Sequence, residues 1–206
     1  MSSSTTMSAD GPRLPRHDVS PRFRRKKIPH NILGTALFVV TEIMFFTGLI
    51  SAYLVLKAGS GGAWVPPGEI TLPVLVTGFN TFILLMSGVH LYMASRNFSD
   101  FSKRDSTATL MMRAILLGLF FVGFQGYEWV QLIGFGMTMT SGVFAACFYL
   151  LIGAHGIHAL SAILVMYWLY RKLQRQRLRQ DHLISIEIYW YFVVGVWPLL
   201  YALVYF

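Results

Sequence analysis

Acidic side chains are scarce in this sequence and cysteine is nearly absent. Only nine of the 206 residues are Asp or Glu, against seventeen Lys and Arg, and charged residues of both signs make up 13% of the chain. A soluble domain carries about a quarter charged residues, so the deficit argues against a water-facing fold. The single cysteine, Cys147, excludes an internal disulfide and a copper-binding cysteine pair; inside an apolar run it reads as a small packing residue. The apolar runs lack the period-two alternation of membrane barrels, which excludes that architecture. The net charge of +8 comes with no motif that reads RNA or DNA, so nucleic acid is not an expected partner.

What the chain does have is hydrophobicity in long blocks: 55% of residues are apolar and 15% aromatic. A hydrocarbon core of ~30 Å needs about 20 helical residues. Five stretches qualify, near 31–56, 70–94, 107–134, 141–170 and 186–206. Backbone exposed to lipid must satisfy its own hydrogen bonds, so the expected fold is all-α, a polytopic membrane bundle of about five transmembrane helices. Residues 1–30, rich in Ser, Pro and basic side chains, read as a disordered cytoplasmic tail rather than a cleaved signal, and residues 31–206 as the transmembrane domain.

The basic residues are sorted to one side. With the amino terminus inside, the tail, the 95–106 loop with Arg113, and the 171–182 loop hold sixteen of the seventeen; Lys57 alone falls on the other side. That asymmetry predicts a cytoplasmic amino terminus and an outside carboxyl terminus. The first outside connection, Gly59 to Gly68, is glycine-rich and then stiffened by Pro66-Pro67, with Trp64 suited to the headgroup level.

Four polar side chains inside the spans are the candidate functional residues. Glu42 lies about ten residues into span one, roughly 15 Å deep, where a carboxylate costs several kcal/mol. It is expected to be protonated or bonded across a helix interface, with a role in proton handling as the functional reading. Glu128, in Gly123-Phe124-Gln125-Gly126-Tyr127-Glu128-Trp129, is shallower, reachable by water, and expected to make a structural polar contact. His155 and His158 share a face of span four at i, i+3. A metal or haem would need further ligands that nothing in the sequence brings to them, so interhelical hydrogen bonding is the expectation, with Gly153 and Gly156 allowing a neighbour to approach. Tyr189, Trp190 and Tyr191 suggest an interfacial belt, Trp197 lies too deep for one, and Pro198 is expected to kink the last span.

Several segments, in chain order, resemble subunit III of the haem-copper respiratory oxidases. They are Thr41-Glu42-Ile43-Met44-Phe45-Phe46; Trp64-Val65-Pro66-Pro67-Gly68 with Leu72-Pro73 and Asn80 through Gly88; Glu128 in its Gln-x-x-Glu-Trp setting; Phe148 through His158; and Tyr189-Trp190-Tyr191-Phe192-Val193 through Trp197. The match spans residues 31–206 and is closest to the five-helix bacterial form. It implies a non-catalytic subunit of the cell (inner) membrane, packed against oxidase subunits I and II, holding phospholipid and supporting proton uptake. Haem and copper would belong to those partners, and this chain would bind no metal or cofactor. Trp64, Pro66, Pro67 and Gly68 would form its lipid or interface loop. Tyr191 and Val194 stand where the family has His and Asp. The alternatives are an accessory protein of a quinol oxidase or nitric oxide reductase, a small proton or ion transporter using Glu42 and the histidines, and a haem-binding anchor.

Overall fold

A computed structural model describes residues 29–61, 64 and 73–206. The expected tail, apart from Pro29 and His30, lies outside the described residues, as do Pro66, Pro67 and Gly68. Five helices follow in order: α1 His30–Gly59, α2 Val74–Asn97, α3 Arg104–Gly134, α4 Val143–Gln174 and α5 Gln180–Tyr205. A 3-10 turn, Phe101–Lys103, precedes α3, and among the described residues there is no strand. Each helix is long and apolar enough to cross a membrane. The protein is therefore an all-helical membrane bundle.

Several helices outrun the expected spans, α3 and α5 starting earlier and α1 and α4 ending later. The extensions carry polar and basic residues, such as Arg171 and Lys172 in the last turn of α4. Helix geometry does not stop where hydrocarbon stops, and cations at a helix C-terminus complement its dipole. α5 runs on through Pro198, which has no N–H to offer the turn before it.

The helices alternate in direction. Tyr53 near the end of α1 donates to the Leu203 carbonyl near the end of α5 (3.3 Å), while Trp64 stacks edge-on against Phe144 at the start of α4 (5.8 Å). At the other end the α2–α3 connection meets the start of α5, through Gln180 and Ser99. That end also collects the basic residues of α2, α3, α4 and the α4–α5 connection, and forms the basic end of the bundle.

Lipid is as apolar as leucine, so close packing and interhelical hydrogen bonds hold such helices together. α5 supplies both to α2. Trp190 donates to Ser87 Oγ (3.2 Å), Trp197 to Thr81 Oγ1 (2.8 Å) and Tyr201 to the Val74 carbonyl (2.7 Å). Trp190 and Trp197 are fully enclosed. Trp190 is thus a core residue and not part of an interfacial belt: the small side chains of α2 leave room for an indole that the apolar context alone would have sent to the headgroups. Gly118 of α3 makes the same allowance, since a methyl there would lie 3.1 Å from the Trp190 ring and 3.2 Å from Ile163. α1 is the outlier. Only 11% of its most apolar stretch is buried, against 39–44% in the other four helices.

Outside the spans, Asp100 organises the α2–α3 turn. Its carboxylate accepts the Ser102 hydroxyl (2.7 Å) and amide (3.1 Å) and meets Lys103 Nζ at 3.4 Å. The Ser102 hydroxyl first, then its amide, hold the carboxyl below its ordinary range.

Two outcomes follow from this packing. Gly118→Leu should lower the stability of the bundle by about 1–3 kcal/mol, read as a drop in thermal midpoint, whereas Gly123→Leu, with open space around it, should not. A carboxylate favoured by folding contributes above its unfolded pKa and loses that contribution as pH falls through its folded value. Amide-exchange protection at Ser102, taken relative to the intrinsic rate, should therefore fall on acidification below the ordinary carboxylate range. Asp100→Asn should be weaker at neutral pH and insensitive to that change.

Candidate functional site

One polar contact inside the spans joins α1 to α4. Glu42 lies twelve residues into α1, about 18 Å along its axis. Its Oε2 is 2.7 Å from His158 Nε2. The other ring nitrogen, Nδ1, lies 2.6 Å from the Ala154 carbonyl. A carbonyl only accepts, so Nδ1 carries a hydrogen. Nε2 then either donates to a carboxylate or accepts from a carboxylic acid. In both cases the pair shares one proton and is neutral overall, which is how a carboxylate and an imidazole can stand together in a low-dielectric interior. The groups are only 15% and 18% exposed.

Sequence spacing explains how α1 holds the imidazole. Phe45 and Phe46 follow Glu42 at i+3 and i+4, on the same helix face. Their rings lie 6.0 and 5.2 Å from the His158 ring, and Phe192 of α5 backs Phe46 at 5.9 Å. The acid takes the tip of the ring, Phe46 meets it at a steep angle and Phe45 lies tilted beside it.

His155 has a different setting. It is 1% exposed, boxed by Trp197 (5.0 Å), Phe121 (6.2 Å) and Phe46 (6.4 Å), and neither nitrogen has a hydrogen-bond partner among the described residues. An imidazolium there would find no acceptor. The expected interhelical hydrogen bond exists for His158 and not for His155, because the i−3 position turns the ring into the aromatic seam between α3, α4 and α5. Gly153, expected to admit a helix, admits the Trp129 ring, 3.1 Å from where a methyl would sit, while Gly156 has nothing within 4 Å of that point.

Glu128 forms a second, separate cluster. It is 4% exposed, so water does not reach it as its position in the sequence suggested: α2 and α5 close over the α3 turn that carries it. Gln125 Nε2 donates to it at 2.9 Å and also reaches Tyr205 Oη (3.2 Å); Thr77 Oγ1 lies 3.1 Å from both carboxylate oxygens and 2.9 Å from the Pro73 carbonyl. The structural contact expected for Glu128 is thus three-helical. Gln125 was visible one turn before it in the sequence; Thr77 and Tyr205 carried no signal.

Trp64, the described residue of the expected interface loop, is half-buried and donates to Tyr53 Oη (3.1 Å) with the rings edge-on at 5.2 Å. Tyr191 donates to Glu187 (3.0 Å), and Val194 lies buried where α5 meets Gly88 of α2. No group of three or more His, Cys, Asp and Glu that could hold a metal forms among the described residues, and both nitrogens of His158 are already engaged.

The segments that resemble one family therefore converge in space, with the α1 acid on the α4 histidine and the α3 and α5 aromatics around its neighbour. The family model for cytochrome c oxidase subunit III matches residues 28–206. The chain belongs to this family. It is 32% identical over 181 residues to the probable cytochrome c oxidase subunit 3 of Mycobacterium leprae, covering 84% of this chain and 86% of that one. Over 180 residues it is 33% identical to cytochrome c oxidase subunit 3 of Synechocystis, covering 84% and 74%. The salmon subunit, from Salmo salar, is 33% identical over 181 residues, covering 84% and 67%. As a subunit III, the chain is a multi-pass membrane component of a haem-copper oxidase complex, within an electron transport chain.

Removing the Glu128 side chain should strand Gln125 and Thr77. Glu128→Ala is expected to destabilise the subunit by about 1–3 kcal/mol, measured as the thermal midpoint of the complex. Glu128→Gln, which can still accept from Gln125 and donate to Thr77, should retain most of that stability.

Proposed function

We propose that this subunit III lies against subunit I beside subunit II in the cell (inner) membrane, holds phospholipid on its open faces, and keeps a proton within reach of the catalytic subunit. Its amino terminus is cytoplasmic and its carboxyl terminus outside. In this reading haem and copper sit in the neighbouring subunits, and this chain contributes no redox centre. The observation that carries the proposal is the 2.7 Å contact between Glu42 and His158. A carboxyl group and an imidazole sharing one proton near mid-bilayer are costly to bury, and an apolar pair would hold α1 to α4 as well. Retaining such a pair is reasonable where a proton must be stored.

Orientation is supported by the charge sorting, with sixteen of the seventeen basic residues on one side of the expected spans. Contact with a partner is supported by α1, whose outward face carries Leu37, Val40, Met44 and Val55 largely uncovered. Phospholipid is supported by the same uncovered surface. Among intramembrane acids, Glu42 is the one with an imidazole partner; Glu128, enclosed by amide and hydroxyl groups, ties helices together.

Purification from native membranes should bring the chain down with a haem-copper subunit. In that complex Glu42→Gln keeps a hydrogen bond to His158 but cannot release a proton. It should hasten the loss of activity during turnover several-fold while leaving the initial rate near that of the parent. An unchanged inactivation rate and unchanged proton pumping would reduce Glu42 to a structural hydrogen-bond donor.

A further inference from the structure

The seam where α1 meets α4 opens onto the outer surface, and the Glu42–His158 pair lies on it. The two side chains keep 15% and 18% of their area exposed, and Phe38 and Phe45, one turn to either side of Glu42, are 47% and 46% exposed. Glu42 meets the imidazole through Oε2. Its other oxygen, Oε1, has no hydrogen-bond partner among the described residues and is not enclosed by them. Whichever group holds the shared proton, Oε1 is an acceptor: a carboxylate oxygen in one case, the carbonyl of an acid in the other. Toward the basic end the seam widens into a groove of about 520 Å³, open outward and mostly apolar. Thr35 and Phe38 of α1, Ser161 and Val165 of α4, and Ser185 and Tyr189 of α5 line it. The groove ends one turn short of the pair, since Phe38 and Ser161 stand at helical spacing from Glu42 and His158. The hydroxyls of Thr35 and Ser161 turn back to carbonyls of their own helices. Oε1 is thus the unmet acceptor at the deep end of an otherwise apolar face.

Inside a membrane such a face is covered by lipid or by polypeptide, and Oε1 discriminates between them. Glu42 stands near the midpoint of a helix of 30 residues. That helix is about 45 Å long, which puts its midpoint roughly 15 Å from either headgroup layer. At that depth a phospholipid presents methylenes, and its ester carbonyls, nearer the surface, only accept. A polar group in hydrocarbon is costly unless a protein group or water meets it. We propose that the α1–α4 seam is the docking face for a transmembrane helix of another oxidase subunit, and that a hydroxyl, amide or indole of that helix donates a hydrogen bond to Glu42 Oε1. This rests on the reading that the chain packs against a partner subunit; it adds the face and the chemistry of the contact. Glu42 then bonds within its own chain through one oxygen and across the interface through the other. From Thr35 to Glu42 the face runs two turns of α1, about 10 Å, which is the width of one packed helix. The groove receives the apolar flank of that helix. A neighbour is also what α1 lacks, since its most apolar stretch is 11% buried against 39–44% in the other helices.

The test uses the assembled oxidase in native membranes. A photoreactive benzoylphenylalanine replaces Phe38 on the seam or, as a second face, Phe120 of α3, which is 51% exposed. After illumination the adducts on this chain are mapped by mass. Position 38 should join to a transmembrane segment of another oxidase subunit several-fold more than to lipid. Ser161→Trp, which places an indole in the groove from an exposed position, should cut the amount of this chain retained by the detergent-purified complex several-fold without changing its helical content. Leu116→Trp, 56% exposed on α3, should not. Glu42→Leu removes the acceptor and should lower retention likewise, whereas His158→Leu breaks the same contact within the chain but spares Oε1 and should be retained. Equal loss in these two variants would mean that the pair acts within the chain alone, and would overturn the hydrogen bond across the interface. Lipid adducts alone at position 38, with another subunit captured from position 120, would overturn the docking face while leaving the partner reading intact. No subunit captured from either position and no haem-copper subunit co-purifying would instead overturn the partner reading itself.

Discussion

In hydrocarbon a polar group has no solvent to fall back on, and this constraint orders the whole bundle. It explains why the hydroxyls of Thr35, Thr41 and Thr47 on α1 turn back to carbonyls of their own helix. It explains why both indoles of the α5 core reach hydroxyls on α2, and why Glu128 draws side chains from three helices. The energy of any one such bond between membrane helices is modest, about 0.6 kcal/mol on average. What they supply is register: each bond is formed in one alignment of the helices and lost in a neighbouring one. The apolar surface, by contrast, would accept many alignments equally.

The exceptions to that rule locate the chemistry. His155 is enclosed by aromatic rings without an acceptor, whereas His158, one turn away, meets an acid. Two imidazoles of one helix face thus become a packing element and a proton-sharing element. What separates them is what the neighbouring helices present: α1 brings the Glu42 carboxyl to His158, whereas α5 and α3 bring only the Trp197 and Phe121 rings to His155. The role of each histidine is assigned by the helices packed against it and not by its own sequence context.

That is also where reading the chain alone reached its limit. The five helices, the family and the four polar candidates were legible because span length and residue order are local properties of the sequence. The Glu42–His158 contact was not, because its partners are 116 residues apart and no local periodicity relates α1 to α4. Trp190 misled for a similar reason. Tryptophan near a span end has an amphipathic preference for the interface, and only the small residues Ser87 and Gly118, on two other helices, make the alternative available. Glu128 read as shallow because depth along its own helix ignores Tyr205 and Thr77, which arrive from α5 and α2.

The placement of α1 has a consequence for biogenesis. It is made before the other four described helices, yet within this chain it rests on α5 and α4, which follow much later, and leaves most of its surface bare. At a synthesis rate of roughly 5–20 residues per second, the 116 residues between Glu42 and His158 take about 6–23 s to appear. Throughout that interval the acid lacks its His158 partner, and a neutral carboxyl group or shielding by another polypeptide would lower the cost of carrying it. α1 thus waits for helices made long after it, and a nascent chain halted after α3 would leave an acidic helix adrift in the bilayer as a target for quality control.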